Sequence, residues 1–187
     1  MSNPLHQRAG CKDQNATTGM LDFAVTTRLQ RLRTRLEPAL RRFLHLYWRF
    51  ARGMTLGVRA VVLDAENRVF LVKHSYISGW HLPGGGVETG ETLRGALLRE
   101  LAEEGRIEPA GEPEFFGVYL NSHVSRRDHV AVYVVRNFTQ DRLPEPNREI
   151  VDCGFFEART LPSETTMGTR LRIAEVIENK PPIPTWR

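Results

Sequence analysis

With 187 residues, 41% of them apolar and 26% charged, the chain has material for one packed core plus an appendage, which excludes a wholly disordered or fibrous protein. Its two cysteines, Cys11 and Cys153, lie far apart and form no CxxC pair, which excludes a disulfide framework or a cysteine-only zinc site. The net charge of +4 is uneven: eight arginines against one acid, Glu37, give +7 between Arg28 and Arg52, and residues 53–187 carry −3. No apolar run approaches the roughly 20 residues that span a bilayer, and the first residues lack the apolar stretch of a signal peptide. A cytoplasmic location is the expectation.

In chain order, residues 1–20 are polar and aperiodic and predict a flexible tail. Within 21–52, Leu29, Leu32, Leu36, Leu40, Phe43, Tyr47 and Phe50 recur every three or four positions among arginines, the pattern of a basic amphipathic helix. Two uses of that helix stay open. Its apolar stripe packs on the domain or on a second copy of the chain in a homodimer, the commoner fate of such a stripe, or its arginines meet nucleic acid or an anionic membrane.

After Gly53 the period changes. Val58 to Leu63 and Val69 to Val72 are apolar and β-branched runs around a turn composition, residues 64–68, and predict a hairpin. Trp80-His81-Leu82 leads into Pro83-Gly84-Gly85-Gly86, and Thr92 to Glu104 reads as a helix with leucines at 93, 97 and 101. Phe115 to Leu120, His129 to Val135 and Gly154 to Glu157 predict further strands. A last helix is expected from about Thr169 to Glu178, stopped by Pro181-Pro182, with 181–187 as a C-terminal tail. Strands interrupted by two helices indicate an α+β (α/β) domain over 53–180.

The chemistry concentrates in Gly85 to Ile107. On a helix Glu100, Glu103 and Glu104 share an arc roughly 100° wide. Acids so placed repel one another, and a common divalent cation reverses the sign; oxygen-only donors favour Mg²⁺ or Mn²⁺. An isolated ExxEE is more often a solvated acidic face. Here it follows a triple glycine, which permits close backbone approach, on a loop leading to a helix start whose free N–H groups suit phosphate oxygens. Arg99 and Glu91 add an opposite-charge pair that ties loop to helix.

This segment resembles the Nudix box, G-x5-E-x7-R-E-U-x-E-E-x-G-U with U aliphatic: Gly85, Glu91, Arg99, Glu100, Leu101, Glu103, Glu104 and Ile107 fall on its defined positions. Arg106 stands where the pattern has glycine, with Gly105 one place early, so a rearranged helix exit is expected. The resemblance implies a Nudix-like α-β-α sandwich with a mixed sheet and a loop-helix-loop box. It implies a hydrolase that cuts a phosphoanhydride bond in a nucleoside diphosphate linked to another group, or in a related small nucleotide. It further implies that Glu100, Glu103, Glu104 and the Gly85 carbonyl hold Mg²⁺, and that Arg99 orients them by pairing with Glu91. It implies a carboxylate base as well, with Glu103 as the first candidate, Glu149 on a later loop as the second and Glu145 as the third.

Three other residues are candidates for substrate contact, each with an ordinary alternative. Trp80 can stack on a base or pack in the core; Arg126 and Arg127 can meet a diphosphate or sit in a solvated loop. Two further functions compete with small-molecule hydrolysis: a Nudix-fold binding or regulatory protein of weak activity, and an RNA-directed Nudix enzyme using the basic helix.

Overall fold

A computed structural model describes residues 53–187. The expected tail (1–20) and basic helix (21–52), with the partners assigned to that helix, lie outside the described residues. The remaining elements are β1 (Thr55–Val62), β2 (Arg68–His74), β3 (Trp80–His81), α1 (Leu93–Gly105), β4 (Ile107–Pro109), β5 (Glu114–Leu120), β6 (Asp128–Val135), β7 (Phe138–Gln140), β8 (Ile150–Glu157) and α2 (Met167–Ile177).

The strands form three small sheets, ordered β1-β6-β5, β3-β2-β8 and β4-β7. β1 runs parallel to β6, and the other pairs are antiparallel. Side chains along a strand alternate between faces, and here both faces are buried. Val58, Ala60 and Val62 of β1, with Phe70 and Val72 of β2, join Ala96, Leu97 and Leu101 of α1 in one core cluster. Val61 of β1, Leu63 just beyond it, and Val69 and Leu71 of β2 join Ile173 and Val176 of α2 in the other. The result is an α-β-α sandwich with a mixed sheet arrangement, and the two helices take opposite faces because the apolar residues of β1 and β2 are continuous rather than alternating.

The expected hairpin between β1 and β2 is corrected. The turn itself forms: Asp64 accepts from the backbone N–H of Asn67 through its carbonyl (3.0 Å) and from that of Arg68 through its carboxylate (2.8 Å). Beyond the single Leu63–Val69 bridge the strands diverge into different sheets. One edge of β1 is occupied by β6. The other is filled by the glycine loop, with Val58 N donating to Gly85 O and Ala60 N to Pro83 O, each at 2.9 Å. No edge is left for β2.

Helix α1 starts at Thr92, whose hydroxyl accepts from Gly95 N (3.0 Å), the cap its sequence announces. It ends at Arg106, which occupies the left-handed region (φ 53°, ψ 34°) and donates its N–H to Ala102 O. The exit is therefore the ordinary left-handed cap and is not rearranged. The arginine takes the dihedral that glycine adopts freely, and its guanidinium makes two hydrogen bonds to Asp141 (2.9 and 2.8 Å). Gly105 serves packing instead: a Cβ there would come 2.8 Å from Ile107 Cδ1.

Residues 181–187 are not a detached tail. Leu120 N donates to Pro184 O and Trp186 N to Leu120 O, both at 2.9 Å, so the segment adds a bridge to the outer edge of β5.

Candidate active site

The glycine loop is shaped by what it must touch. Gly84 has φ 136°, and a Cβ there would overlap the Val58 carbonyl; a glycine is required for the loop to lie along β1. At Gly85 a Cβ would overlap the Glu100 carboxylate, so that carboxylate rests against bare backbone. Arg59, in the middle of the apolar β1 run, donates from Nη1 to the carbonyls of Leu82 (3.1 Å) and Gly84, and so holds the loop from below.

Arg99 joins loop to helix. Its Nε and Nη2 donate to the two oxygens of Glu91 (3.1 Å each), Nη2 also to Gly86 O (3.1 Å), and Nη1 to Glu100 Oε1 (2.7 Å). The hydrogen bonds from Arg99 hold the Glu91 carboxyl below its ordinary pKa, and those to Glu91 and then Glu100 raise the guanidinium's own. Bidentate geometry of this kind fixes orientation as well as charge.

Glu104 is buried, and its Oε2 accepts from Gly84 N at 2.6 Å. Burial pushes its carboxyl up to about 7, and the Glu100 and Glu149 charges add to that; Arg59 and the Gly84 N–H oppose it. His74, also buried, sits with Nε2 3.5 Å from Glu104 Oε1, and neither ring nitrogen has a hydrogen-bond partner. Burial, then the charge of Arg59, lowers its pKa to about 4. The imidazole is therefore neutral near pH 7, and the contact is not an ion pair.

A cavity of about 770 Å³ opens above these groups. It is lined by Gly84–Gly86, Glu100, Glu104 and Arg59, and by Glu149 from the loop before β8. Tyr76 Oη lies 3.4 Å from Glu149 Oε1. Glu103 lies outside the lining, with a side chain 63% exposed and 3.6 Å from Arg99 Nη1. Among the described residues, no three acidic, imidazole or thiol side chains converge on one point. Of the three helix glutamates, Glu100 and Glu104, about 40° apart around α1, thus line the cavity, and Glu103, about 100° from Glu104, sits beside Arg99.

The residues that do line the cavity fit a divalent cation in kind. Their donors are carboxylate and carbonyl oxygens, and Gly85 O keeps a second lone pair beside its bond to Val58 N. The burial penalty on Glu104 is one that a nearby cation relieves.

The weaker substrate candidates fall elsewhere. Trp80 is buried edge-on against Phe156 (ring centroids 4.8 Å apart) and belongs to the core beneath α2, because pairing of β3 with β2 turns it inward. Arg126 and Arg127 are exposed on the β5–β6 turn and do not line the cavity; Asn121, His123 and Val124 of the same turn and Asp128 at the start of β6 do. Sequence reasoning passed over Arg59, whose signal was a lone cation inside a buried strand, and Trp186, which lines the cavity from the C-terminal segment.

No helix among the described residues is long and apolar enough to cross a membrane. A family model described as the NUDIX domain matches residues 53–176. An RNA pyrophosphohydrolase from Francisella tularensis is 42% identical over 57 residues, a match that spans 30% of this chain and 37% of that relative's length. Among solved structures, a MutT Nudix hydrolase from Burkholderia pseudomallei superposes with a TM-score of 0.57 at 26% identity, covering 65% of this chain and 97% of its own. A mutator MutT protein from Bacillus halodurans superposes with the same TM-score at 18% identity, covering 68% and 85%, and speaks to the fold alone. By the length and position of the family match, on the residues that build this cavity, the chain belongs to the Nudix family.

Proposed function

We propose that the protein is a Mg²⁺-dependent cytoplasmic pyrophosphohydrolase that cuts a phosphoanhydride bond in a nucleoside diphosphate linked to another group, or in a related nucleotide. The observation that carries this reading is the placement of Glu100 and Glu104 against the Gly84–Gly85 backbone at the floor of the cavity. Glu100, Glu104 and the Gly85 carbonyl are the groups that would hold Mg²⁺, with Mn²⁺ as the alternative. When bound, the cation supplies charge neutralisation for the phosphates and a more acidic water.

The protein's own residues do the rest. Arg99 keeps the Glu100 carboxylate aimed by tying it to Glu91 and Gly86, and Arg59 keeps the loop carbonyls in register. A water oxygen forms a bond to phosphorus, the bridging P–O bond breaks, and the water proton passes to a carboxylate. Of the first two candidate bases, the lining favours Glu149 over Glu103; a base must come within hydrogen-bond reach of the water it deprotonates.

A second reading, RNA with a 5′-polyphosphate as substrate, is favoured by the likeness to the Francisella tularensis RNA pyrophosphohydrolase and by the +7 stretch between Arg28 and Arg52. One screen tests both. Full-length protein is incubated with Mg²⁺ and nucleoside triphosphates, dinucleoside polyphosphates, nucleotide sugars and 5′-triphosphorylated RNA, and release of phosphate, pyrophosphate or nucleoside monophosphate is read. Release from at least one compound, abolished by chelation, is expected; no release from any compound overturns the reading.

A further inference from the structure

One row of residues crosses the β1-β6-β5 sheet at the cavity and joins its two edges. Val87 N donates to Leu56 O (2.9 Å), Leu56 stands opposite His129, His129 opposite Leu120, and Leu120 bridges to Thr185. The glycine loop lies at one end of that row and the C-terminal segment at the other. Four inter-strand spacings separate them, on the order of 19 Å. Both ends line the same cavity, Gly85, Gly86 and Glu100 at one and Trp186 at the other.

The far end is built as firmly as the near one. Besides the two backbone bonds to Leu120, Ile183 N donates to Glu175 Oε1 (3.2 Å) and Arg172 Nη1 to Thr185 O (3.3 Å). Arg172 is completely buried, with its guanidinium 4.0 Å from the Tyr119 ring centroid and 5.5 Å from that of Trp186. Tyr119 meets the indole edge-on at 6.0 Å. Gly168, at the start of α2, leaves room for it: a Cβ there would overlap Trp186 Nε1 and come 2.6 Å from Arg187 O. The indole is nevertheless only half-buried. Met167 and Val124, 63% and 74% exposed, line the cavity too. An acidic floor is thus paired with a flat, preorganised, apolar wall.

We propose that Trp186, presented by residues 183–187, is a specificity-determining residue that stacks on the planar ring of the group attached to the phosphates, a nucleobase. Stacking on a partly exposed indole rewards a flat π-system and tolerates differences between bases. Holding the indole in place beforehand limits the entropy lost on binding. The proposal rests on the pyrophosphohydrolase reading above.

The test compares a nucleoside triphosphate with inorganic tripolyphosphate, which has the same phosphates and no base, on full-length protein with Mg²⁺. Trp186→Ala is expected to raise KM for the nucleotide about tenfold with kcat unchanged, and to leave tripolyphosphate hydrolysis as it was. Trp186→Phe, which keeps a ring, is expected to restore most of the loss. Gly168→Ala, whose added Cβ would overlap the indole nitrogen and crowd Arg187 O, is expected to follow Trp186→Ala. Equal losses on both compounds, or an unchanged nucleotide KM, would overturn the proposal. Calorimetric binding of a non-hydrolysable nucleoside triphosphate analogue separates it from the underlying reading. Binding that needs Trp186 in a protein that hydrolyses neither compound supports the wall and defeats the hydrolase; brisk hydrolysis with Trp186-independent binding does the reverse.

Discussion

The carboxylate of Glu100 rests on the α-carbon of Gly85, closely enough that a single methyl group on that carbon would occupy the space of its oxygens. The placement of this carboxylate depends on an atom that is missing from a side chain. Gly85→Ala is expected to displace Glu100 and lower Mg²⁺-dependent turnover by roughly a hundredfold, the cost typical of an ångström-scale misplacement. The residue is not at positive φ, so the melting temperature is expected to move little. Steady-state kinetics and a thermal melt on the same variant check both halves.

Arg99 is expected to matter more for rate than for stability. Its guanidinium is partly exposed and its partners lie in the same loop and helix, a setting where ion pairs contribute at most about 1 kcal/mol. Arg99→Lys keeps the charge but not the planar fork that reaches Glu91 bidentately. Both Arg99→Lys and Arg99→Ala are therefore expected to lower kcat at least tenfold with little change in a denaturant midpoint. Full activity in Arg99→Lys would show that charge alone suffices.

The first two candidate bases separate by position, since Glu149 lines the cavity and Glu103 does not. Glu149→Gln is expected to reduce kcat on the order of 10² to 10⁴, the usual contribution of a positioned proton acceptor; Glu103→Gln, outside the cavity lining, is expected to change it less than tenfold. The reverse order in single-turnover assays would move the base back to α1.

Arg106 holds a left-handed conformation that disfavours any side chain with a Cβ by about 1–2 kcal/mol, and it also pairs with Asp141. Arg106→Ala keeps the strain and loses the pair, whereas Arg106→Gly loses both. Urea unfolding is expected to rank Arg106→Gly above Arg106→Ala by about 1 kcal/mol. Equal midpoints would mean the cap conformation had changed.

The same pair sets an acid response. Hydrogen bonding from Arg106, helped by the Arg142 N–H, holds the Asp141 carboxyl at about 2, below its ordinary 3.8. A depressed acid favours the folded state above its unfolded pKa, and that contribution fades as pH falls through the folded value. Thermal stability is therefore expected to decline between about pH 4 and pH 2, with a shallower decline in Asp141→Asn. An identical slope in the variant would remove the pair from the acid response.

Much of this site was legible in the chain because its parts are local. The Gly85, Glu91, Arg99 and Glu100 constellation lies within 16 residues and is assembled by one loop and one helix, so spacing and helical period suffice to bring it together. Strand runs interrupted by two helices pointed to an α+β domain, and the sandwich itself was implied by the resemblance of Gly85 to Ile107 to the Nudix box. What sequence missed depends on pairing across the chain. Val58 and Ala60 accept the glycine loop as their neighbour in place of β2, and nothing local in a hairpin pattern announces which edge a strand will lose. The strands β3, β4 and β7 are two or three residues long, too short to carry a period. Trp80 and Trp186 look equally eligible as isolated aromatics; only the register of β3 on β2 and the bridge to Leu120 send one into the core and the other to the cavity.

The bridge between Leu120 and Thr185 has a further consequence. With the Pro83–Gly86 segment laid along the outer side of β1 and residues 184–186 laid along the end of β5, the β1-β6-β5 sheet is blunted at both borders by its own irregular backbone. Borrowed strands from a neighbouring molecule find few open ladder positions there, which is how natural sheets avoid templated aggregation. The segments that border the cavity thus also act as guards against fibril-like growth, and substitutions that loosen them are expected to cost solubility together with specificity.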